Sequence, residues 1–386
     1  MKTPPQELLL AAHFAPLDDP RITRTRRHPL INVLGIVLAA TLAGAQGWDD
    51  MVEFALSKRA VLGRFLDLTH GLPSADTLRR VFERLDTTVF ARCFAAWTAG
   101  VAGALARTVV ALDGKSQAGT AGGGASGYRK KPLVHMVSAW ASEQRLVLAA
   151  VPTERAATEP VAIPDLLALL ELRGATVTVD AIGGRGDGVA RAIRAKHAHY
   201  LIAIKANAGT LHRYVVGQFA AAAACGFRGV GASRVVTRDA AHGRAETRVV
   251  RAMPARGWSH PKGAWADVAT LVEVTRTRTR RGRTTTKVHY YVTDLRAGAA
   301  TLGHRIRRRW STENEQHWRL DVAFGEDGSR IRDATSATNL AFVRRDALNR
   351  HLAMPDARGG LPRRIKRAGW DDTYLERLLM LDLTGT

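Results

Sequence analysis

The chain has 386 residues, long enough for two or three domains with buried cores and too long for a disulfide-stapled peptide. Lys plus Arg number 57 against 35 Asp plus Glu, a net +22 with all but ten of the cations Arg, and 46% of residues are hydrophobic. That balance excludes a disordered basic tail and points to a polyanionic partner, most simply nucleic acid.

Residues 1–27 are rich in Pro and Arg with little periodicity and read as a basic arm. Arg26 and Arg27 precede an apolar run, residues 30–45, that imitates an export signal. At about 15 residues the run is short for a membrane span. It contains Asn32 and follows Glu7, Asp18 and Asp19, so it reads as a buried helix begun by Pro29. Leu78, Val81, Phe82 and Leu85, then Phe90, Cys93, Phe94, Trp97 and Val101, recur at helical spacing, so residues 28–105 are expected to form an all-α domain. Within it Ser74, Asp76 and Thr77 mark a helix start with Arg79 and Arg80 just inside, an arrangement open to two readings: a capped packing helix, or a contact with DNA phosphates. The two cysteines, Cys93 and Cys225, are far apart and fit a reducing cytosol better than a metal cluster.

From residue 108 the period changes. Strands are expected at 108–112, 133–140 and 145–150, then a helix at 160–173, a strand at 175–179, a helix at 188–197 and a strand at 200–205. This succession predicts an α/β layer with a mixed sheet, in the order of a ribonuclease H-like core. Residues from 206 to about 300 interrupt it with β-type sequence, including a hairpin whose arms, 271–279 and 284–293, flank Arg280, Arg281 and Gly282. Alternation puts Arg276, Arg278 and Arg280 on one face and Thr275, Thr277 and Thr279 on the other, as either a phosphate contact or a charge-protected edge. Helical spacing returns over 302–324 and 335–352, and 353–386 reads as a basic tail.

Three acids stand out. Asp113 and Asp180 each end an apolar strand, and the carboxyl ends of strands line the functional crevice of α/β sheets. Glu313 lies in a later helix, sharing a face with Asn314 and His317 beside Trp310 and Trp318. Three carboxylates alone would repel, whereas two Mg²⁺ or Mn²⁺ ions about 4 Å apart turn repulsion into binding and serve an in-line phosphodiester displacement. Singly, Asp113 reads as well as a turn residue, Asp180 as an Asx turn and Glu313 as a solvated helix face; their joint order favours a site. Gly122, Gly124 and Gly127 precede a strand rather than a helix, and Gly114-Lys115-Ser116 lacks the first glycine of a P-loop, so nucleotide binding is not expected.

With these residues in view the chain resembles bacterial insertion-sequence transposases of the DDE type, in the ISAs-type branch that includes the H-repeat-associated proteins of Rhs elements. The resemblance spans about residues 18–352, through Gly71-Leu72-Pro73-Ser74, Ala111-Leu112-Asp113-Gly114-Lys115, Asp180-Ala181 and, most specifically, Glu313-Asn314 leading into His317-Trp318-Arg319-Leu320-Asp321. It implies a catalytic domain over 106–352, cleavage at element ends and transfer of the 3′-OH, with Asp113, Asp180 and Glu313 as the acidic, metal-holding triad. Lys115, Asn314, His317 and Arg309 are expected to support the triad, and Arg79, Arg80, Arg276, Arg278, Arg280 and Arg330 to touch DNA. The implied partners are double-stranded DNA, as terminal inverted repeats and target, and a second copy of the chain to synapse two ends, in the cytoplasm on the nucleoid and away from membranes. Ala118, Arg185, Ala208 and Arg309 depart from the family pattern. They leave open a non-catalytic DNA-binding remnant, with a metal-dependent nuclease as a third reading.

Overall fold

The computed structural model describes residues 10–99, 105–120, 134–154, 159–181, 186–241, 244–259, 265, 267–355 and 358–381. It opens with helices α1 (Leu10–Phe14), α2 (Leu30–Leu42), α3 (Trp48–Ser57), α4 (Arg59–Leu62), α5 (Ala75–Phe82) and α6 (Thr87–Thr98). Strands β1 (Val109–Ser116), β2 (His135–Ala141) and β3 (Leu146–Thr153) follow, then α7 (Glu159–Ala168), β4 (Thr176–Val179), α8 (Gly186–Ala195), β5 (His199–Ile204) and α9 (Gly209–Ala224). A meander comes next: β6 (Ser233–Ala241), β7 (Arg244–Pro254), β8 (Thr270–Arg280) and β9 (Arg283–Thr293). The chain ends with α10 (Ala299–Arg309), a π-helical turn at Thr312–His317, α11 (Trp318–Val322), α12 (Ala334–Ala353), α13 (Leu361–Trp370) and α14 (Asp372–Leu379). This mixed α/β chain forms two compact units, one of residues 1–103, 114–170 and 312–386, the other of 104–113 and 171–311.

In the first unit the apolar run becomes α2, buried from Asn32 to Leu42, as a helix hydrophobic all round must be. Asn32 Nδ2 donates to the Asp67 carbonyl, which removes the cost of burying its amide. Ser74 caps α5 by accepting from the Thr77 N–H at 3.2 Å, and Asp86 caps α6 the same way, at 2.8 and 3.0 Å from Thr88 and Val89. Helix α12 packs against α2, α5, α6 and β3. Several of its buried polar residues serve backbone elsewhere. Asn339 Nδ2 donates to the Phe82 and Leu85 carbonyls at the end of α5, and His351 Nε2 to that of Leu42 at 2.9 Å. Among the described residues no helix is long and apolar enough to cross a membrane.

In the second unit the strand order is β1-β4-β5-β9-β8-β7-β6. β1, β4 and β5 are parallel, β9 joins β5 antiparallel, and the meander completes a mixed sheet. Leu302 and Ile306 of α10 pack with Val250, Val272 and Leu201.

Three local expectations change. Residues 209–224, read as β-type, form α9, since Leu211, Val215, Phe219 and Ala222 recur at helical spacing and are buried. The supposed tail folds as α13 and α14. Strand β1 continues past Asp113 to Ser116, so Asp113-Gly114 is strand and not a hairpin turn. The glycines at 122–127 and Arg185 lie outside the described residues.

Candidate active site

Asp113, which lies within β1 rather than at its end, and Asp180, which follows β4, belong to the second unit. The parallel register of β1 on β4 ends at Leu112 opposite Val179. Asp113 and Asp180 are therefore the next residue on each of two adjacent strands, about 5 Å apart in the pairing direction. Burial pushes the Asp180 carboxyl up, but the Ala181 N–H donating to Oδ1 at 2.7 Å, the Arg309 charge and Lys205 Nζ at 3.6 Å outweigh it and hold the group below its usual range. Asp180 is thus an ionised oxygen donor at neutral pH, as a hard divalent cation requires.

Glu313 belongs to the first unit. It is exposed, beside exposed Asn314, on the π-helical turn, a wider winding than the expected α-helix and one frequent at functional sites. Among the described residues no group of three His, Cys, Asp or Glu side chains is arranged to hold a metal ion.

Lys115, two residues beyond Asp113, is buried, and its Nζ lies 2.6 Å from Asp321, 2.8 Å from Asp327 and 3.7 Å from Glu326. Burial lowers its pKa, yet the carboxylates, Glu326 foremost, raise it on balance, so it stays charged. Glu326 is fully buried and shared with Arg345 Nη1 at 2.9 Å and Gln117 Nε2 at 3.2 Å, while Arg345 Nε reaches Ser138 Oγ at 3.2 Å. Lys115 therefore ties β1 to the segment that follows Glu313. His317 is neutral, with a pKa pushed down to about 4 by burial and by the Arg345 and Lys115 charges.

A second cluster has no signal in the sequence. His135 on β2 lies between Ser116 Oγ, 2.7 Å from Nδ1, and Glu159 Oε1, 2.8 Å from Nε2. A Cβ on Gly114 would collide with Glu159 and His135, so the strand passes directly over this pair.

The expected DNA contacts differ in their surroundings. Arg79 is paired with Asp76 and Glu83, and Arg80 with Asp76, so α5 neutralises much of their charge. On the meander Arg276 stands between Lys287 and Arg248, which is itself paired with Asp239 and Glu246, Arg278 stands opposite Glu246, and Arg280 opposite Arg283, whereas Thr277–Thr286 and Thr279–Thr284 hydroxyl pairs occupy the alternate rows. Like charges directly opposite one another cost stability. Arg276 and Arg309 both lie over the Trp310 ring, at 5.8 and 5.1 Å. Arg330 is exposed.

Adjacent parallel strands that carry the chain to Asp113 and Asp180, on a mixed sheet with rows of arginine on its meander, define a class: a mixed α/β protein on a strongly basic chain. Residues 104–350 match the Transposase DDE domain, and residues 11–98 match the DDE_Tnp_1-associated domain. The chain belongs to this transposase family. It is 30% identical over 374 residues to "Putative transposase YncI" of Escherichia coli O157:H7, covering 96% of this chain and 94% of that protein. It is 28% identical to "H repeat-associated putative transposase YhhI" of E. coli K12, covering 96% and 97%. The piggyBac transposase in a synaptic complex with hairpin DNA aligns over 91% of this chain and 72% of that one, with a TM-score of 0.42 and 9% identity.

Proposed function

We propose that the protein cuts the ends of an insertion sequence and joins the freed 3′-OH to target DNA, with Asp113, Asp180 and Glu313 as its acidic triad. The observation that carries this reading is the matched position of Asp113 and Asp180, each the next residue after Leu112 and Val179, the last paired residues of two adjacent parallel strands. On this reading residues 106–352 are a ribonuclease H-like catalytic domain interrupted by the meander, residues 28–105 help bind DNA, and two copies synapse two ends at the nucleoid.

Mg²⁺ or Mn²⁺, when bound, would supply charge to the attacking and leaving oxygens of an in-line displacement. The chain's own part is to present ionised oxygen donors. The Ala181 N–H, Arg309 and Lys205 hold the Asp180 carboxyl below its usual range against the effect of burial. The Lys115 tie to Asp321 and Asp327 fixes β1 just beyond Asp113. The arginine rows of β7, β8 and β9 hold the phosphate backbone.

The departures at Ala118 and Ala208 favour a second reading, a DNA-binding remnant without cleavage. Asp113→Asn, Asp180→Asn and Glu313→Gln are each expected to abolish metal-dependent nicking of a terminal-repeat duplex while binding is retained. Normal nicking in any of the three would remove the triad. Binding without nicking in the wild type would establish the remnant.

A further inference from the structure

A recess of about 640 Å³ opens on the first unit, and four of its lining residues are arginines: Arg145, Arg319, Arg358 and Arg364. They come from the β2–β3 turn, α11, the α12–α13 connection and α13. Glu315 on the π-helical turn faces two of them, 2.6 Å from Arg145 Nε and 3.8 Å from Arg319 Nη1. The second distance is too long for a hydrogen bond, and Arg319 Nη1 is shut from solvent. Burial and the nearby Arg145 and Arg364 charges lower the Arg319 pKa, the mark of crowded guanidinium groups. Arg364 spends hydrogen bonds on the His351 and Gly359 carbonyls, which satisfy its N–H groups without cancelling its charge.

Arg358 also lines an adjoining recess of about 430 Å³ with Arg363, Arg367 and the strongly exposed Trp370. The basic lining thus continues along α13 to Arg367, which Asp371 pairs at 2.9 Å, and ends on the indole. Arg forks match phosphate oxygens better than Lys does, and a cavity with one shared carboxylate against four guanidinium groups is short of negative charge.

We propose that the recess of Arg145, Arg319, Arg358 and Arg364 is a phosphodiester-binding subsite that grips DNA backbone. It rests on the DNA-handling reading above, and it takes the π-helical turn as part of its rim: a phosphate on Arg145 and Arg319 competes with Glu315, two residues from Glu313.

The test is salt-dependent binding of the full chain to a duplex of about 30 base pairs of arbitrary sequence, read by fluorescence anisotropy. The double variant Arg145→Gln/Arg358→Gln is expected to bind about tenfold more weakly, and its slope of log K against log salt to fall by about one to two, near 0.9 per lost phosphate contact. Arg145→Lys/Arg358→Lys, with the same charge, is expected to keep the slope, which separates lost contacts from lost folding. Glu315→Gln is expected to tighten binding several-fold. A wild-type slope in the Gln double variant would overturn the subsite. Inorganic pyrophosphate that binds the wild type but not the double variant, with the DNA slope unchanged, would assign the recess to a small anion and overturn the DNA contact. If the wild type binds the duplex with no salt dependence, the DNA reading itself fails, a result distinct from an unchanged slope in a binding wild type.

Discussion

Gly114 occupies a place that a larger residue cannot share. A Cβ there would meet Glu159 Oε1 and His135 Nε2, the two atoms joined by a 2.8 Å hydrogen bond. Gly114→Ala must break that bond or push β1 aside, and overpacking of this kind costs about 1–3 kcal/mol. Thermal unfolding is expected to show that loss in Gly114→Ala, and Gly114→Ala/Glu159→Ser is expected to recover part of it because the blocking oxygens are gone. No recovery would place the strain in the β1 backbone instead. The strands that lead to Asp113 and Asp180 are legible in the sequence because an apolar run before an acid is a local pattern. The His135–Glu159 pair was not, since it joins β2 to the start of α7 and leaves no spacing or periodicity to read.

Helix α12 shows where element-level reading succeeds and stops. Its helical spacing over residues 335–352 is plain, yet Asn339, Arg345, Asn349, Arg350 and His351 would be assigned to solvent by type and are all buried. Each answers a buried backbone or charged group. Asn349 Oδ1 accepts from the Val147 N–H and its Nδ2 donates to the Val147 carbonyl, both at 2.8 Å. Arg350 Nη1 donates to the Leu378 and Leu379 carbonyls at the end of α14 while its guanidinium lies 4.5 Å from the Trp97 ring. Asn349→Ala strands both polar groups of Val147, at about 1–3 kcal/mol for each. Denaturant unfolding is expected to lose on the order of 2–4 kcal/mol, and Asn349→Asp, which keeps the acceptor and lacks the donor, is expected to fall short of wild type as well. Wild-type stability in Asn349→Ala would mean that water replaces the amide. The π-helical turn was likewise illegible, because residues 312–317 have an ordinary helical composition and only the hydrogen-bond register distinguishes the two windings.

For the whole molecule, the +22 charge overstates what faces DNA. Arg344, Arg345 and Arg350 are buried inside the first unit, and Lys115 is enclosed by three carboxylates. Even so, acid adds charge to a chain already strongly positive, and self-repulsion then opposes the compact state. Two imidazoles of lowered pKa, buried His351 and half-buried His317, sharpen this. Burial foremost holds His351 down to about 4, despite its bond to the Leu42 carbonyl, and His317 has a similar value. A histidine whose folded pKa lies below its unfolded value of about 6.5 takes up its proton more readily in the unfolded chain. Its contribution to stability is therefore complete above pH ~6.5 and is lost as pH falls toward 4. For fully buried His351 the linkage amounts to on the order of 2 kcal/mol between pH 7 and pH 5. Urea unfolding at the two pH values is expected to show that drop in the wild type. In His351→Gln, which keeps a donor for Leu42 and does not titrate, the drop is expected to be smaller by about the same amount. Equal drops in the two proteins would show that the acid sensitivity arises from net charge and not from the imidazole between α2 and α12.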